Sequence, residues 1–192
     1  MRRAVFFDRD GVLIEDQGLL TRVEQISVLD GAGPALSGLK RAGFLLIVVT
    51  NQAVVARGLV SERQLEEIHA AMCQRLQEAG APPLDAIYFC PHHPQADLPE
   101  YRVACECRKP RPGLLLRAAQ EHAITLERSF LIGDRITDIA AGSKAGCRTA
   151  LVRRPGWEPQ PIVTLDLPDA SWQADHTCPT LAAAVAWILE AP

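Results

Sequence analysis

Short apolar runs alternate with segments of helical periodicity along most of the chain. The runs have the length and the β-branched and aromatic content of buried strands, and the intervening segments repeat apolar residues at helical spacing. This pattern predicts strands at 4–7, 44–50, 86–90, 129–134 and 148–152, and helices at 34–42, 61–80, 113–122, 136–145 and 180–189. Because the connections are long enough for crossovers, we expect a doubly wound parallel sheet of the α/β, Rossmann-like class.

The remaining segments and the composition limit the class of protein further. With 192 residues, 48% of them apolar, the chain is expected to form one domain over 1–192, with a loop or flap at 12–31 and irregular surface chain at 153–178. A net charge of −3 argues against a nucleic acid or a membrane surface as partner. The longest apolar run, 44–49, is too short to cross a bilayer, and Asp8 interrupts any signal peptide. We therefore expect a cytoplasmic protein, and a monomer because no long exposed apolar pattern is present.

The first strand ends abruptly on two carboxylates, Asp8 and Asp10, followed by Gly11. Asp10-Gly11 between apolar runs is also a common hairpin signal, so a solvated turn is the alternative at this point. Polar residues end two further predicted strands, at Thr50 and at Asp134, and Lys109 precedes a helix that would begin near the same edge. Since ligands bind at the carboxyl ends of parallel strands, these repeated endings favour a functional site over the hairpin.

These residue types suit the transfer of a phosphoryl group. Three acids, Asp8, Asp10 and Asp134, form an oxygen-rich set of the kind that holds Mg²⁺. Lys109 and the Thr50 hydroxyl would offset the charge of the phosphoryl oxygens. Asp8 would attack phosphorus to form an aspartyl-phosphate, while Asp10 protonates the leaving oxygen and then activates water.

Four polar segments follow one another along the chain: Asp8-Arg9-Asp10-Gly11, Thr50-Asn51-Gln52, Cys107-Arg108-Lys109-Pro110 and Gly133-Asp134. Together they resemble the four motifs of the haloacid dehalogenase-like phosphatases, over a stretch that extends from the first strand to Val152. The resemblance implies that Asp8 is the nucleophile, Asp10 the acid and base, Thr50 and Lys109 the phosphoryl stabilisers, and Asp134 a magnesium ligand. The resemblance also places Asp138 with Asp134 in the fourth motif, but an acid in the first turn of a helix explains Asp138 equally well.

The spacing of the motifs leaves no room for a large cap domain, so loops are expected to select a small soluble phosphate ester. More narrowly, the resemblance is to bacterial enzymes of nucleotide-activated heptose biosynthesis that remove the 7-phosphate of D-glycero-D-manno-heptose 1,7-bisphosphate. It implies a sugar phosphate as substrate, with candidate contacts at Asp16, Asn51, Gln52, Arg57, Arg108 and Arg135.

Two alternatives stay open. Histidinol phosphate is the rival substrate, although a cationic substrate would be poorly matched to three arginines. The rival of another class is a zinc-stabilised binding module without catalysis. Ala53-Val54 stands where the family frequently has Ser-Gly, and Arg135 where it often has lysine. These departures affect the substrate more than the chemistry.

A loop rich in cysteine and proline, at about 90–107, carries two ligand pairs. Cys90 with His92 or His93, and Cys105 with Cys107, suit tetrahedral Zn²⁺ in a closed structural site. Spacing alone does not decide between the two histidines. The family resemblance implies zinc on Cys90, His92, Cys105 and Cys107.

Overall fold

A computed structural model describes residues 2–154, Gly156 and 172–191. Its centre is a parallel six-stranded sheet with the strand order β3-β2-β1-β4-β5-β6. The strands are β1 (Ala4–Phe7), β2 (Leu45–Asn51), β3 (Ala86–Cys90), β4 (Phe130–Gly133), β5 (Arg148–Val152) and β6 (His176–Cys178). The helices are α1 (Ala32–Arg41), α2 (Ala53–Ala56), α3 (Glu62–Glu78), α4 (Gly113–His122), α5 (Ile136–Ala145) and α6 (Leu181–Glu190), with 3₁₀ turns at Val23–Gln25, Pro99–Tyr101 and Leu126–Arg128.

The first strand of the chain lies in the middle of the sheet. β1 pairs on one side with β2, where Phe6 is in register with Ile47, and on the other with β4, where Phe6 is in register with Leu131. The chain therefore builds the sheet outward in both directions from β1. In open α/β sheets such a switch point creates a crevice at the carboxyl ends of the strands, and ligands bind there.

Helices cover both faces of the sheet. Val5 and Phe7 point into a core shared with α1, α3 and α6. Ala4 and Phe6 point to the other face, which packs against α4 and α5. All four side chains are fully buried. Since both faces of β1 are covered by helices, its sequence is a continuous apolar run instead of an alternating one. The predicted doubly wound class is confirmed.

Helix α3 shows how the sequence fixes one of these layers. Ser61 caps its first turn by accepting a hydrogen bond from the Gln64 amide at 3.2 Å, and the Gln64 side chain accepts one from the Ser61 amide at 2.8 Å. The buried face of the helix carries Leu65, Ile68, His69, Met72 and Leu76. The capping box thus starts the helix in the phase that turns this stripe toward the sheet.

The hairpin alternative at Asp10-Gly11 is excluded, in agreement with the preferred prediction, because the neighbours of β1 are the parallel strands β2 and β4. The structure differs from the predicted elements at two other places. Helix α2 was not predicted. Part of 153–178 lies outside the described residues, but His176–Cys178 pairs with β5 as the sixth strand, so the expectation of irregular chain was wrong for these three residues.

The connections after β1 and β3 are the places where a cap domain would be inserted. Over the described residues, the first contains one 3₁₀ turn and α1, and the second contains only the 3₁₀ turn at Pro99–Tyr101. Neither forms a separate domain, in agreement with the sequence. None of the described helices combines the length and apolar content needed to span a membrane.

Candidate active site

Three carboxylates converge at the carboxyl end of the central strands. Asp8 follows β1 and is fixed by its backbone amide, which donates to the Ile132 carbonyl of β4 at 2.9 Å. Asp134 follows β4, and Asp138 lies in the first turn of α5. One oxygen from each of these three buried side chains lies within 4.8 Å of the others. The switch point in the strand order therefore collects acids from distant parts of the chain.

Lys109 is the cation of this cluster and is only 2% exposed. Its ammonium nitrogen lies 2.9 Å from Asp8 Oδ1 and 2.6 Å from Asp138 Oδ1, and it donates to the Val49 carbonyl at 2.8 Å. Burial alone would lower the pKa of Lys109, but the charges of Asp138 and Asp8 raise it above its usual value. Lys109 is therefore a permanent positive charge beside the Asp8 carboxylate.

A single ammonium does not neutralise three buried carboxylates. Burial, followed by the charges of Asp8 and Asp138, raises the pKa of Asp134 to about 9. Burial also raises the pKa of Asp138. Both carboxylate oxygens of Asp134 are buried without a hydrogen-bond partner among the described residues. Buried carboxylate oxygens without hydrogen-bond partners destabilise the fold unless a positive charge compensates them. The donor set therefore fits a hard divalent cation.

Two glycines let the acids approach the backbone this closely. Gly11 has a φ of +75°, and a Cβ atom there would collide with Asp134 Oδ2. A Cβ atom on Gly133 would collide with the Asp138 side chain. Glycine is required at Gly11 for conformation and space, and at Gly133 for space.

The Asp10 carboxylate does not join the cluster, in contrast to its predicted place as a third side-chain ligand. It pairs instead with Arg9, whose Nη2 lies 2.9 Å from Asp10 Oδ1, and it accepts from Gln52 Nε2 at 3.0 Å. Asp138 takes its place among the three acids. Asp138 also accepts from the Arg135 amide at 3.0 Å, as an acid in the first turn of a helix does. Both explanations left open for Asp138 thus describe the same side chain.

The last two residues of β2, Thr50 and Asn51, and Gln52 directly after the strand hold other parts of the site. The Gln52 amide nitrogen, besides binding Asp10, donates to Thr50 Oγ1 at 2.9 Å. Asn51 accepts from the Lys109 amide at 3.0 Å and donates to the Lys109 carbonyl at 3.1 Å. Asn51 and Gln52 still line the crevice, but their side-chain amides are engaged with other site residues. This bracing of Lys109 by Asn51 was not expected from the sequence.

A crevice of about 150 Å³ opens above the carboxylates. Arg108 and Arg135 line it from two sides, and Arg135 Nη2 lies 2.9 Å from Asp16 Oδ2 of the loop after β1. Arg57, in contrast, is exposed at the end of α2 and is not among the residues that line this crevice. The lining of the crevice therefore combines two half-buried arginines with the carboxylates of Asp8, Asp10 and Asp138.

The four predicted zinc ligands also come together. The sulfur atoms of Cys90 and Cys107 are 2.9 Å apart, those of Cys90 and Cys105 are 3.6 Å apart, and His92 Nδ1 lies 3.3 Å from Cys107 Sγ. His93 instead accepts a hydrogen bond from the Gln95 amide at 3.0 Å. His92, and not His93, therefore lies in the cluster with the three cysteines. Three sulfurs and one imidazole nitrogen within 4.8 Å match the donor set of a structural zinc site.

Arg9 and His69 lie behind the site, and no sequence pattern singles out either residue as functional. Arg9 is only 1% exposed and contacts both Asp10 and the His69 ring. An arginine beside two aspartates usually indicates a solvated turn, and a histidine on an apolar helix face usually belongs to the core. The tertiary contact between Arg9 and His69 connects the histidine, through Arg9, to Asp10.

Comparison with known proteins agrees with this fold. Residues 106–184 match the family model described as HAD-hydrolase-like. Among solved structures, a HAD-like phosphatase from Mesorhizobium loti superposes with a TM-score of 0.78 at 30% identity, covering 97% of this chain and 86% of that chain. The fold and the acids at its strand ends therefore define a phosphatase of the HAD-like class.

Relatives with curated names are more specific. A D-glycero-β-D-manno-heptose-1,7-bisphosphate 7-phosphatase from Pasteurella multocida is 38% identical over 182 residues, which cover 95% of this chain and 94% of the relative. The enzyme of the same name from Escherichia coli K12 is 38% identical over 179 residues, 93% and 90% of the two chains. The chain belongs to this family of HAD-like phosphatases. D,D-heptose 1,7-bisphosphate phosphatase from B. bronchiseptica, solved with magnesium and phosphate, has a TM-score of 0.77 at 29% identity and 98% coverage of both chains.

Proposed function

We propose that the protein removes the 7-phosphate of D-glycero-D-manno-heptose 1,7-bisphosphate in the biosynthesis of nucleotide-activated heptose. The observation that carries the proposal is the buried cluster of Asp8, Asp134 and Asp138 with Lys109, placed under a crevice lined by Arg108 and Arg135. The names of the family members supply the substrate. The arginines at the rim suit a substrate that carries a second phosphate.

Asp8, Asp134 and Asp138 would hold Mg²⁺, which supplies charge neutralisation for the phosphoryl group when bound. This set differs from the one predicted from the sequence, in which Asp10 was the third acid. It is supported by the 4.8 Å grouping of the oxygens and by the unpartnered oxygens of Asp134. The Asp10 carboxylate is then available for proton transfer.

The reaction proceeds in two steps on this chain's own side chains. The Asp8 carboxylate attacks phosphorus, the bond to the sugar oxygen breaks, and Asp10 donates a proton to that oxygen. In the second step Asp10 takes a proton from water, the water oxygen attacks phosphorus, and inorganic phosphate leaves the restored Asp8 carboxylate. Asp10 must therefore face the same side of the crevice as Asp8. The hydrogen bond that Gln52 Nε2 donates to Asp10 Oδ2 holds the Asp10 carboxylate in place.

Lys109 and Thr50 stabilise the phosphoryl group during transfer. The Lys109 ammonium beside Asp8 reduces the repulsion between the attacking carboxylate and the anionic phosphoryl oxygens. The Thr50 hydroxyl, only 1% exposed, is oriented because it accepts from Gln52 and so keeps its own proton for donation. Both groups are in place before the substrate binds.

Substrate contacts are assigned by position around the crevice. Arg108 and Arg135 would receive the sugar phosphate, and Asp16 keeps the Arg135 side chain at the rim. Asn51 and Gln52 line the wall while bracing Lys109 and Asp10. Arg57 is dropped from the proposed contacts because it lies outside the crevice. Zn²⁺ on Cys90, His92, Cys105 and Cys107 would organise the loop that leads to Arg108.

The test is phosphate release with Mg²⁺ from the heptose bisphosphate and from histidinol phosphate, measured in parallel. Asp8→Asn is the blank, and Glu127→Gln, the same charge change at an exposed position on the amino-terminal side of the sheet, is the matched control. We expect preference for the bisphosphate, abolished by Asp8→Asn and retained by Glu127→Gln. Preference for histidinol phosphate would overturn the substrate, and release that survives Asp8→Asn would overturn the mechanism.

A further inference from the structure

Arg9 is a buried cation whose guanidinium binds the Asp10 carboxylate. Its Nε lies 3.2 and 3.1 Å from the two Asp10 oxygens, and its Nη2 lies 2.9 Å from Oδ1. Two adjacent donors of one planar group therefore meet one carboxylate. This fork fixes the plane of the carboxylate as well as its distance.

The opposite corner of the same guanidinium meets a helix. Arg9 Nη1 lies 3.3 Å from His69 Nε2 on α3. Because arginine carries only donors, His69 Nε2 must be the acceptor, and the ring proton is assigned to Nδ1. Burial and the charge of Arg9 lower the pKa of His69 to about 3, which keeps the ring neutral and able to accept. The ring is itself packed against Phe89 of β3, with centroids 5.7 Å apart.

The Asp10 carboxylate is thus held by two side chains. Gln52 donates to Oδ2 at 3.0 Å from the β2 side, and Arg9 binds the carboxylate through Nε and Nη2. Gln52 is anchored by its own backbone amide, which donates to the Cys90 carbonyl at 2.8 Å. The described contacts of the Arg9 guanidinium outside Asp10 lead to His69. The orientation of Arg9, and through it that of Asp10, depends on that contact.

We propose that His69 and Arg9 are positioning residues that aim the Asp10 carboxylate at the leaving oxygen of the substrate. This inference rests on the proposed function, because it takes Asp10 as the proton donor. It gives α3 a part in the reaction although His69 does not line the crevice. Loss of the contact should slow proton donation without weakening substrate binding.

The test compares two esters that differ in their need for a proton. In an alkyl phosphate such as the sugar bisphosphate, the leaving group is a strongly basic alkoxide unless its oxygen is protonated. In p-nitrophenyl phosphate, the weakly basic p-nitrophenolate leaves without protonation. His69→Leu retains an apolar side chain but offers Nη1 no acceptor. His69→Gln retains bulk and restores an oxygen acceptor, so it is the matched control. Thermal unfolding of both variants verifies that they are folded.

We expect His69→Leu to lower kcat on the sugar phosphate by about tenfold to a hundredfold, part of the roughly 10²–10⁴-fold that a positioned acid contributes. The loss on p-nitrophenyl phosphate should be several times smaller, KM should be unchanged on both, and His69→Gln should regain most of kcat. Equal losses on the two esters, or equal activity of the Leu and Gln variants, would overturn the inference.

Asp10→Asn, measured alongside, separates this inference from the function on which it rests. If Asp10→Asn shows the ester-dependent loss and His69→Leu does not, the positioning role fails and the catalytic role of Asp10 stands. If Asp10→Asn itself shows no such dependence, Asp10 is not the proton donor and both are overturned. An Arg9→Lys variant adds a further check, because a single ammonium retains the charge and loses the fork, so it should resemble His69→Leu.

Discussion

Among the three acids of the cluster, Asp134 is the one whose two oxygens both lack a hydrogen-bond partner in the described part of the chain. Its carboxylate is buried beside two other acids. Burial and the neighbouring charges raise its pKa to about 9, so without a cation the site favours a protonated Asp134 at neutral pH. A bound divalent cation would reverse this preference.

Replacing Asp134 by Asn should therefore uncouple stability from magnesium. We expect saturating Mg²⁺ to stabilise the wild-type protein by about 3 kcal/mol at a hundred times the dissociation constant, which raises Tm by roughly 6–12 °C, since each kcal/mol shifts Tm by roughly 2–4 °C in a protein of this size. Asp134→Asn should show less than about a third of that shift, since it removes a ligand charge. Differential scanning calorimetry with and without Mg²⁺ measures both. An undiminished shift in Asp134→Asn would contradict the proposed metal set.

The sequence located these residues better than it assigned their contacts. Asp8 and Asp134 could be placed because each follows an apolar run that reads as a buried strand. Which third acid joins them could not be predicted, because it depends on where the turn at Gly11 directs the Asp10 side chain. That direction is set by Arg9 and Gln52, and the contact with Gln52 exists only in the folded sheet.

Among the elements of the fold, the loop between β3 and α4 contains only one short 3₁₀ turn, at Pro99–Tyr101. Its exposed residues Arg102, Val103 and Ala104 stand next to the cluster of Cys90, His92, Cys105 and Cys107. Such a loop is organised by a metal when its own apolar contacts are few. Lys109 lies two residues after Cys107, so the order of the loop and the position of the Lys109 ammonium are linked.

We expect Cys107→Ser to lose bound zinc and to become sensitive to proteases within 91–107. Phosphatase activity should fall at least about tenfold, because Lys109 no longer has a fixed approach to Asp8. Metal analysis and limited proteolysis with mass spectrometry check the first two results. Cys73→Ser on α3, a cysteine outside the cluster, is the control and should leave all three unchanged. Purified wild-type protein without zinc would contradict the proposed site.

The buried His69 on α3 makes stability depend on pH with a defined sign. Its pKa is lowered from 6.5 to about 3 by burial and by Arg9, so below pH 6.5 the unfolded chain takes up a proton that the folded protein refuses. This contribution destabilises the fold progressively as pH falls from about 6.5 toward 3, with a slope of at most about 1.4 kcal/mol per pH unit.

His69→Gln should remove that contribution. The difference in unfolding free energy between wild type and His69→Gln, measured by urea denaturation, should shift in favour of the variant between pH 6.5 and 4. Above pH 7 the difference should be constant. A difference that does not change with pH would show that His69 titrates normally in the folded protein.

The elements that were not predicted are the short ones. The residues of α2, Ala53–Ala56, make one helical turn, too short for a periodic pattern. In β6, His176 is half-buried, Thr177 is exposed and Cys178 is buried, so the strand has no apolar run. These residues form a strand because they pair with the edge of β5. The long strand Leu45–Asn51 was predicted to within one residue at each end. Burial on both faces requires a continuous apolar run, and such a run is easy to recognise in the sequence.

Among the described residues, the large exposed apolar side chains lie on different parts of the fold: Leu19, Leu59, Val103, Leu116 and Leu189. A stable interface would need a contiguous apolar patch. We expect a monomer of 20.9 kDa by size-exclusion chromatography with light scattering, independent of protein concentration. A mass of twice that value at micromolar concentration would contradict this expectation.

The overall class was predictable from the alternation of strands and helices, but the order of the strands was not. Apolar runs do not specify their neighbours, and the register of Phe6 with both Ile47 and Leu131 is decided by packing across the whole sheet. The site depends on that order, because Asp134 reaches Asp8 only if β4 lies next to β1.

The central position of β1 also determines when the enzyme becomes active during its own synthesis. The strand is made first, but its partners are residues 45–48 and 130–132. A nascent chain must therefore wait, with the apolar segment Ala4–Phe7 only half paired, until β4 has left the ribosome. Pairings this distant in the chain slow folding and prolong exposure to aggregation or to chaperones. Until they form, the acids remain apart, and an incomplete polypeptide cannot hydrolyse the phosphate esters around it.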